Sequence, residues 1–76
     1  MFVTTREAVE RIKDIISKEI DGFVYDKHVA KKLGMTQAAL ACKIKRDSLP
    51  LKEIALFCYK NSIDIKKIVF GSNENT

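Results

Sequence analysis

Residues 29–40 read Val29-Ala30-Lys31-Lys32-Leu33-Gly34-Met35-Thr36-Gln37-Ala38-Ala39-Leu40, and this stretch decides the fold. Val29, Ala30 and Leu33 fall on one side of a short helix. Gly34 ends it, because glycine enters the left-handed conformation of a helix terminus without a Cβ penalty. Thr36 is a good N-cap for the next helix, which runs to about Arg46 with Leu40 and Ile44 as its inward positions. Two helices joined by so short a turn cross closely, and Ala30 is the small residue that permits it.

The flanking segments supply the brace for that pair. Thr4 and Glu7 have the spacing of a capping box. After them Ala8, Val9, Ile12, Ile15, Ile16 and Ile20 recur every three or four residues, which predicts an amphipathic helix over roughly 5–20, stopped by Gly22. Asp26 is the expected N-cap of the second helix. Pro50 suits the first position of a fourth, with Ile54, Phe57 and Cys58 as its buried stripe, Leu51 and Ala55 beside it, and Asn61 and Ser62 at its end. Asp64 caps a last short helix through Ile65, Ile68 and Val69, closed by Gly71. The polar run Ser72 to Thr76 reads as a disordered tail or the start of a linker. The expected architecture is all-α, a compact five-helix bundle over residues 1–71.

Composition agrees with a single small domain. The chain has 76 residues, 46% hydrophobic and 32% charged, with three glycines and one proline. That balance excludes a disordered chain and disfavours a many-stranded sandwich. No apolar run approaches a membrane span, and the charged opening does not read as a signal peptide. Cys42 and Cys58 are too far apart for a paired metal motif and read as reduced thiols of a cytoplasmic protein. No cofactor, metal or small-molecule ligand is implied.

Charge is concentrated in the middle. Of the net +4, residues 26–47 hold six cations against two carboxylates, residues 1–25 sum to −1, and residues 48–76 sum to +1. A local basic field attracts a polyanion, and nucleic acid is the commonest inside a cell. The helix pair adds the shape this needs, one helix braced by another so that it can stand in the major groove. Enzyme chemistry finds no footing. Cys42 and His28 lack a third orienting group, and Glu7, Glu10 and Glu19 lie on a solvated face.

The run from Val29 to Leu40 resembles the helix-turn-helix of lambda-repressor-like DNA-binding domains. The following Arg46-Asp47-Ser48-Leu49-Pro50, then Ile54, Phe57-Cys58, Ile63 and a short apolar helix ending at Gly71, is similar to the N-terminal domain of phage CI-type repressors. Two positions depart from that pattern. Lys43 stands where a large apolar or aromatic residue is usual, and Lys67 where a tryptophan is common. The resemblance implies sequence-specific binding of a double-stranded DNA operator by a transcriptional repressor, with residues 36–46 as the recognition helix. It implies base reading by Gln37, Ala38, Ala41 and Cys42, and phosphate contacts from Tyr25, Lys27, Thr36, Lys43, Lys45 and Arg46. It further implies a homodimer on DNA, with a separate C-terminal domain supplying the oligomerisation. The other open reading is a small helical protein-interaction module or antitoxin-like regulator, with the exposed alanines and Cys42 as its partner surface.

Overall fold

Thr4 opens the first helix of the computed structural model, which describes residues 1–71. Its hydroxyl accepts the Glu7 amide at 3.1 Å, and α1 spans Thr5–Ser17. The Glu7 carboxylate pairs with Arg11 one turn further on, at 3.2 Å. The helix is shorter than the apolar spacing to Ile20 predicts. It closes where the Ser17 hydroxyl donates to the Asp14 carbonyl at 2.7 Å, and Gly22 lies in the bend beyond, at φ +123°. Ile20 packs against the core from that irregular turn, so its spacing survives although the helix does not.

Four more helices follow: α2 Asp26–Leu33, α3 Gln37–Arg46, α4 Leu51–Lys60 and α5 Lys66–Val69. Asp26 is the first residue inside α2 rather than its N-cap. Tyr25 holds the cap position, and its amide donates to His28 Nδ1 at 2.9 Å. Asp26 is thereby released to meet Lys13 of α1 at 2.6 Å. Pro50 precedes α4 instead of sitting in its first turn. Ile65, not Asp64, holds the N-cap position of the last helix, although the Asp64 carboxylate accepts the Lys66 amide at 3.1 Å.

Three helices end in the same way. Gly34, Asp47 and Ser62 adopt positive φ, and the amide after each reaches back to a carbonyl five residues earlier. Those bonds are Met35 to Ala30 at 2.9 Å, Ser48 to Lys43 at 2.9 Å and Ile63 to Cys58 at 2.8 Å. This is the Schellman arrangement, which satisfies carbonyls the helix leaves free. Glycine occupies the left-handed position at Gly34 alone.

The core is built from Ala8, Val9, Ile12 and Ile16 of α1, Val29, Ala30 and Leu33 of α2, Leu40 of α3, Ile54, Phe57 and Cys58 of α4, and Ile68 and Val69 of α5. The α4 stripe is narrower than expected, since Leu51 and Ala55 are exposed. Thr5 is fully buried, and its hydroxyl has no hydrogen-bond partner among the described residues. Packed around α1 are α2, α3 and α5, while α2 also meets α3 and α4.

The chain's beginning is tied to the segment after α5. Val3 donates to the Val69 carbonyl at 2.7 Å, Gly71 donates to Met1 at 2.9 Å, and the rings of Phe2 and Phe70 stand 5.1 Å apart. No helix of the described residues is long and apolar enough to cross a membrane. The expected tail, residues 72–76, lies outside the described residues.

Candidate nucleic-acid interface

Few side chains hold α3 down. Of its ten residues Leu40 alone is buried, with Lys43 and Ile44 half-buried. Gln37, Ala38, Ala39, Ala41, Cys42, Lys45 and Arg46 are exposed. At 3.6 residues per turn, Ala38, Ala41, Cys42 and Lys45 fall within one arc of about 100° facing away from Leu40. Gln37 stands at the N-terminal tip and Arg46 in the last turn, each about 40° outside that arc on opposite sides. Lys43 lies on the flank nearer Leu40 and is half-buried. Ala39, Cys42, Lys43, Arg46 and Ser48 line a shallow depression of about 220 Å³ along this flank.

The entry angle of α3 is set by the turn before it. Gly34 takes φ +73° with open space around a hypothetical Cβ, so the conformation rather than crowding calls for glycine. The Thr36 hydroxyl accepts the Ala39 amide at 3.0 Å, which leaves its own proton free to donate outward.

Charge divides the molecule in two. Glu7 pairs with Arg11, Glu10 and Asp26 with Lys13, and Glu19 with Lys32. Among the described residues no ion pair engages Lys27, Lys31, Lys43, Lys45 or Arg46. The α3 cations crowd its last turn, where they also suit the negative end of the helix dipole. Arg6, Lys18, Lys52, Lys60, Lys66 and Lys67 also stand outside the ion pairs of the described residues, so the α3 end is set apart by the clustering of Lys43, Lys45 and Arg46 within one turn.

Tyr25 and Lys27 sit apart from that arc, at the end of α2 opposite the turn. Tyr25 is the middle of three rings, 5.9 Å from the exposed Phe23 ring and 5.8 Å from the half-buried His28 ring. The Lys27 ammonium is 5.9 Å from the Tyr25 centroid. Sequence reasoning missed the capping role of His28 and the part taken by Asp47. For His28 the signal was its place three residues after Tyr25, the spacing of a capping-box partner. For Asp47 it was an aspartate just past a helix, a residue type that tolerates positive φ.

Two short helices, a glycine turn and an exposed second helix over a small core constitute a helix-turn-helix. The bacteriophage CI repressor helix-turn-helix domain is the family whose model matches this chain, over residues 7–76. The chain belongs to that family, which is one of DNA-binding transcriptional repressors and not an enzyme class. No curated protein and no solved structure gives a significant match.

Proposed function

We propose that the chain binds double-stranded DNA sequence-specifically as the reading head of a phage-type repressor, with α3 in the major groove. The observation that carries this is the exposure of seven of the ten α3 residues beside Lys43, Lys45 and Arg46, which no carboxylate of the described residues pairs with. Gln37 offers its amide to adenine N6 and N7, and Ala38 meets a thymine methyl. Ala41 and Cys42, a turn further along, face base edges or the groove wall. Thr36 donates to a phosphate, and Lys43, Lys45 and Arg46 straddle the backbone. Tyr25 and Lys27 reach a more distant phosphate at the start of α2.

One recognition helix reads few base pairs, so two copies on adjacent half-sites supply the specificity. Half-sites repeat about every 34–36 Å along one face of the duplex. The domain's longest dimension is 32 Å, which lets two copies stand side by side at that spacing. The protein-interaction reading takes the exposed alanines and Cys42 of α3 as its surface, and the exposed Leu51, Leu56 and Tyr59 of α4 offer it a second one.

Titration against duplex DNA at several salt concentrations decides between them. Neutralising phosphates with Lys27, Lys43, Lys45 and Arg46 gives a log–log slope of about −3 to −4, near −0.9 for each phosphate. A flat salt response with negligible affinity would refute DNA binding.

A further inference from the structure

Asp47 follows α3 and takes φ +53°, ψ +46°. Its Oδ1 accepts the main-chain amide of Thr5, the first residue of α1, at 2.7 Å across 42 residues of sequence. Among the described residues this is the one hydrogen bond that joins the end of α3 to another helix. The rest of the attachment is apolar, through Leu40 and the half-buried Ile44. The donor is fixed as well, because two residues upstream Val3 is bonded to Val69 at 2.7 Å.

We propose that Asp47 is a positioning residue for sequence discrimination, setting the tilt of the recognition helix through the Thr5 amide; this rests on the DNA-reading function proposed above. Asp47 lies seven residues beyond Leu40, on the order of 10 Å along the helix axis. Leu40 acts as a pivot, and a second attachment at that distance is what stops α3 from swinging about it. Bidentate bonds to a base edge require heavy-atom distances held within a few tenths of an ångström. Long lysine side chains on phosphates follow a small swing without loss. Removing the tether therefore costs discrimination and spares general affinity.

Three variants separate the tether from charge and from backbone strain. Asp47→Gly keeps the left-handed turn and removes the acceptor. Asp47→Asn removes the same charge yet keeps an acceptor oxygen and tolerates the turn. Thr5→Pro deletes the donor at the first helical position, where proline is accepted, and Thr4 already has the extended backbone that precedes a proline, at φ −70° and ψ 161°. Duplexes selected by the unaltered chain from a random library would be compared with scrambled duplexes of equal composition. For both D47G and T5P the ratio of selected to scrambled affinity falls by about tenfold, the scale of one misread base pair. Their scrambled affinity stays near that of the unaltered chain, D47N keeps the full ratio, and the pair D47G/T5P loses no more than either alone.

Undiminished discrimination by D47G and T5P overturns the tether while leaving DNA reading intact. Loss of discrimination by D47N equal to that of D47G also overturns it, because charge would then be the cause. Absence of duplex binding by the unaltered chain overturns both readings.

Discussion

The Arg11 guanidinium donates to the Phe70 carbonyl at 2.7 Å, joining the middle of α1 to the residue that ends α5. The same Nη1 reaches the carbonyls of Lys67 at 3.1 Å and Ile68 at 3.4 Å, while Nε pairs with Glu7. A four-residue helix leaves its last carbonyls without internal partners, and one planar cation satisfies several of them. Arg11→Met should lower stability by about 1–2 kcal/mol, since charged hydrogen bonds of this kind are partly exposed. Arg11→Lys should recover less than half of the loss, because a point charge does not reproduce the fork. Chemical denaturation of the three proteins checks this, and equal stability would contradict it.

Gln37→Ala and Lys45→Ala should fail differently. The first relaxes preference among duplexes by roughly 1–3 kcal/mol at one base position. The second weakens binding to all sequences alike and makes the salt slope shallower by about 1. Competition binding with single-base variants of a selected duplex measures both, and identical losses on every sequence would contradict the assigned roles.

The two thiols should report on the interface. Cys42 is exposed on α3. Cys58 is buried, and desolvation, with a smaller contribution from Asp64, pushes its thiol above the usual range. In the folded protein a thiol reagent should modify Cys42 rapidly and Cys58 at a rate limited by unfolding, since the thiolate is the nucleophile. Saturating duplex should shield Cys42. Unchanged labelling in the presence of DNA, followed by mass spectrometry, would place the interface elsewhere.

Alkaline stability should depend on Lys13. Its hydrogen bond to Asp26 raises the ammonium above the usual lysine value of 10.5, helped by Glu10 and opposed by desolvation. A cation with a raised folded value stabilises fully below the unfolded value, and that contribution is lost as pH climbs through the folded one. The wild type should therefore shed this increment above about pH 10.5, and Lys13→Met should not. The increment is small, about 0.2–1 kcal/mol for a pair so near solvent, and it should shrink with salt. Parallel stability curves for the two proteins between pH 9 and 12 would remove the pair from the account.

Most of the local architecture was legible because its signals act within one helical turn. Thr4 and Thr36 cap the helices they announce, and Gly34 takes the turn that the spacing asks of it. The exposed face of α3 followed from having Leu40 and Ile44 as its inward residues, with small or polar residues around the rest. Where the reading erred, two local signals competed. Asp26 had cap chemistry, but Tyr25 with His28 holds the position and Asp26 serves Lys13 instead. Ile20 had core spacing without helical backbone.

Sequence alone determined the five helices, the core stripes and the basic middle third, since periodicity, capping and charge are properties of neighbours along the chain. Tertiary structure decided how the helices are fastened to each other. Arg11 finds Phe70 across 59 residues and Asp47 finds Thr5 across 42, and neither partner leaves a mark near the other in the chain. The left-handed turns at Asp47 and Ser62 belong with these. Either residue is acceptable in several conformations, and the strained one is selected where packing of the whole bundle repays its local cost.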